Sequence, residues 1–457
     1  MNFNTISPLD GRYAQEAEVL LPYFTEESNI QYMLGVEMAL LCEHCKRHNI
    51  RQPLSIKIQA EDVYEQEKIT HHQVKALVNL IQKQVPNRIK PFVHLGVTSS
   101  DIQDTANVLR IGDAMKEVIL PKLQSLENAL ISKMLEYRYT EQIGRTHGQY
   151  AIPMTMGWWW AEYVSRIGRA IRLLKCYPRV GQMSGAVGTY NALSHIYPDP
   201  VEFAEAVLKR LHLGRAEYSS QIIPADSMVR FLSEVNVCFG ILANLADDIR
   251  NLQRSEIGEV REEFTDQQVG SSTMPQKRNP WNCEHVKSLW KEFMPRYITF
   301  SMDLISEHQR DLTNSASSRF IPEYLTGFYL AICRAEEIVR GLKVNVDKMA
   351  ERAQIGTAEK AYVLLALSGV WNAHEAIRRI TIIAEQDNVD FESALMRSDW
   401  WERIKDHWYE IPADPTQDII NDLKNKYYYE VEETKEEQAT QSEKEVGLNP
   451  DYFLGRW

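Results

Sequence analysis

The chain has 457 residues, 44% of them hydrophobic and 25% charged, the proportions of an ordinary globular protein with a large core. A formal net charge of -12 argues against a nucleic-acid-binding surface, and any anionic substrate would need a local basic pocket set against that field. No apolar run approaches the ~18 residues that span a bilayer, and the stretch from Met1 to Tyr13 lacks the basic and apolar regions of a signal peptide. The six scattered cysteines suit a reducing cytoplasm.

Taken in chain order, apolar residues recur at helical spacing over long stretches and strand-like alternation is rare, which predicts an all-α protein. Three helical regions are expected: an N-terminal one over 1–92, a central long-helix bundle over 93–343, and a C-terminal one over 344–457. In the first, Cys42, Cys45 and His48 have no second ligand pair nearby and fit a helix better than a metal site. Long helices are predicted over 102–139, 154–175, 226–261 and 281–304, with kinks or boundaries at Pro121 and Pro295. The clearest runs over 226–261, where Leu232, Val235, Phe239, Leu242, Ala246 and Ile249 form a seven-residue seam. Phe231, Cys238, Ile241, Leu245 and Leu252 make a second apolar face, so this helix should be central. The Glu- and Lys-rich stretch 430–445 reads as a solvated helix or arm, and the aromatic end 449–457 as a docked tail.

Polar islands interrupt this pattern. The first, 7–13, is a turn that presents Arg12, whose guanidinium suits an oxyanion or a solvated surface equally well, beside Tyr13. The second, 70–75, puts His71, His72 and Gln73 in a predicted helix, where adjacent histidines point about 100° apart and are unsuited to one metal. In the third, 92–101, Thr98, Ser99 and Ser100 precede a helix expected to begin near Ile102. Ser100 or Asp101 would cap that helix, and the remaining hydroxyls are free to hold a carboxylate. The fourth, 144–149, carries His147 at a break between helices, as a proton donor or as a structural histidine. Gln221 opens the central helix, and Arg310, Ser315 and Arg319 follow the 281–304 segment.

The most specific stretch is 270–280, Gly-Ser-Ser-Thr-Met-Pro-Gln-Lys-Arg-Asn-Pro. Glycine lets backbone amides approach a ligand, the prolines limit the loop, and Ser271, Ser272, Lys277, Arg278 and Asn279 offer hydroxyls, an amide and two cations to an anion. It resembles the signature loop of the fumarase/aspartase superfamily. With Asp-Gly-Arg-Tyr at 10–13, Thr-His-His-Gln-Val-Lys at 70–75, Thr-Ser-Ser-Asp at 98–101, Arg-Thr-His-Gly-Gln at 145–149, Gly-Ala-Val-Gly-Thr-Tyr at 185–190 and Gln-Arg-Asp-Leu-Thr-Asn-Ser at 309–315, the chain resembles the adenylosuccinate lyases from about Ser7 to Arg319.

That resemblance implies a homotetramer with a twenty-helix core, active sites shared among three subunits, a nucleotide substrate, and no metal or organic cofactor. It implies Ser271 as general base and His147 as general acid, with Arg12 and Tyr13 at the nucleotide phosphate. His71, His72, Gln73, Thr98, Ser99, Gln221, Ser272, Lys277, Arg278, Asn279, Arg310, Ser315 and Arg319 would contact substrate, and Lys75 and Glu284 fall in matching segments. The chain departs from the family pattern at His71, commonly Arg or Asn, and at Gln73, usually Asp. The second change removes an anion and adds two donors. Another superfamily lyase, such as one acting on argininosuccinate, and a catalytically silent helical protein are the alternatives.

Overall fold

The computed structural model describes residues 4–51, 56–353, 357–411 and 413–429; the stretches 430–445 and 449–457 lie outside them. Helices dominate, and the strands among these residues form three two-stranded pairs.

Asp226–Leu252 is the axis. All six residues of its seven-residue seam are 0–2% exposed. It packs against Met156–Leu174, Trp281–Phe293 and Ile321–Gly341, while Leu120–Glu136 closes the bundle against the first and third of these. Each large apolar side chain buried in this way contributes roughly 1.5–3 kcal/mol. The axis helix is long and apolar enough to cross a membrane, but 56% of its most apolar window is buried, taken up by its neighbours in the bundle.

This helix stops at Leu252, short of the expected 261. Gln253, Arg254, Ser255 and Glu256 offer no apolar face, and Gly258 turns the chain at φ 59. Val260–Arg261 then pairs as a strand with Lys343–Val344. The 102–139 segment begins earlier than expected and contains one wide turn. It runs as Ser99–Ala114, a π-helical turn Met115–Ile119, then Leu120–Glu136. Pro121 has no N–H to donate and its ring crowds the preceding turn, so the extra residue upstream absorbs the misfit. Pro295 separates Trp281–Phe293 from Arg296–Met302.

One more expectation is corrected. The chain over 70–75 is not one helix: Ala60–Thr70 ends at His71 in the left-handed conformation (φ 51), and Gln73–Gln84 starts after His72. His72 caps the new helix, its Nδ1 accepting the Lys75 N–H at 3.3 Å. The segment 144–149 does fall at a break between helices, Leu120–Glu136 and Met156–Leu174, and the break is a β-hairpin, Glu141–Thr146 against Gln149–Thr155. Thr155 then accepts the Trp158 N–H (3.1 Å) and starts Met156–Leu174.

Glu26–Arg47 packs on Ser99–Ala114 and Pro200–Arg210. Within it, the His44 ring bonds the Tyr197 hydroxyl (2.7 Å) and the Leu95 carbonyl (3.0 Å), and burial pulls its pKa down to about 4. It is a neutral packing residue. A smaller second core, including Leu365, Ile377, Leu395 and Trp408, joins Ala358–Leu367 to Ala373–Asp387 and the turns after it. Thr416–Tyr427 lies instead on the main bundle, with the Tyr427 ring against Gly168.

Glu127 sits wholly buried in the bundle and neither carboxylate oxygen has a hydrogen-bond partner among the described residues. Burial therefore raises its pKa well above the carboxylate range, so the folded chain holds a proton that the unfolded chain releases. Stability should fall as pH rises between those two values, by up to about 1.4 kcal/mol per pH unit. Glu127→Gln is expected to raise the melting temperature more at pH 8 than at pH 5, which calorimetry across that range would show.

Candidate active site

A cavity of ≈ 250 Å³ opens beside the start of Ser99–Ala114. Four of the sequence-predicted residues, Gln73, Gln221, Ser315 and Arg319, line it. Thr98 caps the helix and Asp101 returns the bond, accepting the Thr98 N–H at 2.7 Å, so the cap is Thr98 rather than Ser100 or Asp101. With the cap supplied from Thr98, the Ser99 hydroxyl is left to meet His72 Nε2 at 3.3 Å. Ser100, Gln103, Asp104 and Asn107, at three- and four-residue steps, present one polar helix face to the same cavity.

Asp101 is the anchor beneath. It is fully buried and also accepts the N–H groups of Ser184 (2.8 Å) and Gly185 (3.0 Å), which fixes the start of the 185–190 motif. Burial raises its carboxyl, with the three amides acting against the rise. Burial also pushes Asp104 up to about 7, opposed by the Ile223 N–H and reinforced by Asp101. The Gln221 N–H reaches the Gln309 carbonyl at 3.4 Å, bringing the 309–319 segment over the cavity. Arg310 adopts a positive φ of 110 in that segment and is not part of the cavity wall.

The 270–280 loop is closed on itself. Asn279 donates to the Gly270 carbonyl (3.0 Å), and a Cβ on Gly270 would lie 2.2 Å from the Lys277 carbonyl oxygen, so only glycine fits. Ser271 is half-buried and its Oγ accepts the Thr273 N–H (3.3 Å) and the Met274 N–H (3.0 Å). Ser272, Lys277 and Arg278 face solvent, with the Arg278 guanidinium over the Phe264 ring at 5.1 Å. Just past the loop, Glu262 accepts the N–H groups of Asn282 (3.2 Å) and Cys283 (2.8 Å), tying down the first turn of Trp281–Phe293.

His147 occupies the hairpin tip. It and Gly148 both have positive φ, 55 and 74, the two-residue turn that matches strand twist. The ring is exposed and has no hydrogen-bond partner among the described residues. Tyr13 bonds His285 Nε2 at 2.8 Å and stacks on its ring. Burial lowers the His285 pKa, and the cations of Arg334 and Arg12 lower it further. Ser7, Leu9 and Asp10 line a neighbouring hollow that shares Arg319 with the first cavity. Within one chain, then, Gln73, Gln221, Ser315 and Arg319 share a cavity with the His72–Ser99 pair alongside. Tyr13 and Arg12 lie by His285 instead, and His71 is exposed at a helix end. His147 and the 270–280 loop are absent from the cavity wall.

Comparison with known proteins places this arrangement. Residues 11–292 match the family described as Lyase. The chain is 33% identical over 411 residues to the adenylosuccinate lyase of Archaeoglobus fulgidus, covering 86% of this chain and 90% of that one. The Methanocaldococcus jannaschii adenylosuccinate lyase is 32% identical, with 86% and 88% covered. This chain belongs to the adenylosuccinate lyase family. The fold agrees: the 3-carboxy-cis,cis-muconate lactonizing enzyme of Pseudomonas putida superposes with a TM-score of 0.77 at 24% identity over 90% of this chain and 97% of that one. A fumarate lyase from Mesorhizobium does so at 0.74 and 22%, over 91% and 94%.

In this member of the adenylosuccinate lyase family, the motif strings pointed to the loops but not to the groups that hold them. Asp101, Glu259, Glu262 and His285 were missed as supports, although the Ser100–Asn107 polar stripe on a largely apolar helix was a readable signal. Gly270→Ala should leave the melting temperature within about 2 °C, because the loop is outside the core. It should speed limited proteolysis within 265–280, since the ring of bonds from Gly270 to Asn279 can no longer close.

Proposed function

We propose that this chain is an adenylosuccinate lyase. It eliminates fumarate from adenylosuccinate to leave AMP, and from succinyl-aminoimidazole carboxamide ribotide (SAICAR) to leave AICAR. The observation that carries this reading is the likeness to adenylosuccinate lyases over 86% of the chain.

In this reading the chemistry is a proton removed on one side and a proton delivered on the other. Ser271 takes a proton from the carbon beside a succinyl carboxylate, and the electron pair left there passes toward that carboxylate. The carbon–nitrogen bond then breaks, its electrons go to nitrogen, and His147 in its protonated form supplies the proton that nitrogen needs. Serine is a weak base, and the two amide N–H groups on the Ser271 oxygen are what favour its ionised form here. Lys277, Asn279 and loop amides stabilise the extra charge on the carboxylate, an effect worth several kcal/mol when such donors are preorganised. Arg12 and Tyr13 hold the phosphate end, and His71, His72, Gln73, Thr98, Ser99, Gln221, Ser272, Arg278, Arg310, Ser315 and Arg319 contact the remainder. None of these steps uses a metal or an organic cofactor.

The resemblance implies a working site assembled from three subunits of a homotetramer whose central bundles form a twenty-helix core, and the absence of His147 and Ser271 from the cavity wall of their own chain is compatible with it. The compartment proposed is the cytoplasm.

Fumarate release followed spectrophotometrically tests the reading, with argininosuccinate as the competing substrate. Ser271→Ala and His147→Gln should each lower turnover at least a hundredfold, on the order expected for loss of a proton-transfer group. Mixing the two inactive variants should restore part of the activity. No release from adenylosuccinate by the unaltered chain would overturn the assignment, and no recovery in mixed oligomers would overturn the shared site. Gln73→Asp, compared on both purine-pathway substrates, is expected to change their ratio rather than abolish either rate.

A further inference from the structure

Beneath the hairpin that carries His147 lies a buried cluster whose central residue, Glu259, neither the motif strings nor the proposed chemistry uses. Glu259 is fully buried. Both η nitrogens of Arg145 grip its carboxylate, Arg352 Nη1 reaches it at 3.2 Å, and Gln142 Nε2 donates at 3.1 Å. Burial alone would raise its pKa, but Arg145, Gln142 and Arg352 outweigh that and hold it below the usual range, so it is an anion in the folded chain.

The placement of these partners is informative. Gln142 and Arg145 are on the first hairpin strand, and Arg145 is two residues from His147. The Arg145 guanidinium also lies over the ring of Tyr150, its cross-strand partner, at 5.2 Å. Arg145 thus has an aromatic face from the opposite strand and a carboxylate from outside the hairpin as its two partners. From Glu259 the chain continues through Val260–Arg261, and Phe264 then packs 3.2 Å from where a Gly270 Cβ would stand. Arg352 closes the far side, also donating to the carbonyls of Glu256 and Ile257.

We propose that Glu259 is a positioning residue: acting through Arg145, it fixes the hairpin tip that presents His147 and ties that tip to the segment leading into the 270–280 loop. The inference rests on the proposed role of His147. A turn of two residues has little freedom of its own, so holding Arg145 fixes the imidazole, and a displacement of about 1 Å at a proton donor costs on the order of a hundredfold in rate.

The test is a double-mutant cycle with a structural control. Glu259→Gln keeps the shape and removes the charge. It should lower kcat about a hundredfold with KM within twofold, since the tip serves the reaction rather than binding. In the His147→Gln background, with the residual rate read at high enzyme concentration, Glu259→Gln should cost less than twofold, because there is no longer an imidazole to position. An equal loss in both backgrounds would mean general structural support and would overturn the proposal, as would an unchanged kcat. Should Glu259→Gln not fold, Arg145→Lys keeps the cation, loses the two-pronged grip and is read through the same cycle. Independently of any substrate, amide hydrogen exchange over 141–155 should quicken in either variant while the bundle helices keep their protection. If the unaltered chain released no fumarate, the functional reading would fall. Unchanged exchange would sink the clamp by itself.

Discussion

Three carboxylates taken out of water hold the loops of this protein to its helical frame. Asp101, Glu259 and Glu262 are each 5% exposed or less. An ion moved into the interior loses several kcal/mol of hydration, which must be offset by donors aimed at it. Asp101 finds backbone amides from two separate loops, Glu262 finds the first amides of a helix, and Glu259 finds two guanidinium groups and an amide side chain. The outcome differs with the donor. Where partners are neutral amides, burial still raises the carboxyl; where arginines take part, it is lowered. The positions most costly to hydrate poorly are the ones from which the polar islands are hung, and a loop cannot leave its place without stranding a charge.

The bundle was legible because burial repeats. The seam from Leu232 to Ile249 was readable at seven-residue spacing, and all of it is buried. Boundaries were harder. The axis helix ends where its apolar pattern ends, at Leu252, yet the charged residues beyond it looked helical by composition. Thr98 rather than a later residue caps its helix because Asp101 can return the bond only from the third helical position. The hairpin around His147 was invisible to periodicity. Gly144 marks an irregular register between its two strands, and polar and apolar side chains do not alternate cleanly along either. Motif strings identified which residues carry chemistry, but the acids that hold them are ordinary in sequence and become distinctive only when their partners, drawn from distant segments, are seen.

The 270–280 loop shows how chemistry and folding are reconciled at one residue. Ser271 has no base beside it in its own chain among the described residues, but it has two amide donors on its oxygen. The same bonds shape the turn that lets Asn279 reach back to Gly270. Local folding and the electrostatics of the hydroxyl are therefore one arrangement, and the loop needs no support from the core to keep it.

The hairpin imposes a further condition on how this chain can vary. Strand side chains alternate between faces, so adding or deleting a single residue between Arg145 and Tyr150 would turn the remaining side chains of a strand to the opposite side. The cation would swing away from its anion and the ring beneath it would follow. Length in this short stretch is consequently held as tightly as the identity of His147: Asn could take the left-handed place of Gly148, but no lineage could lengthen the strands by one and keep the same interior. Natural variation in this protein should therefore appear there as exchanges of side chain and never as gaps.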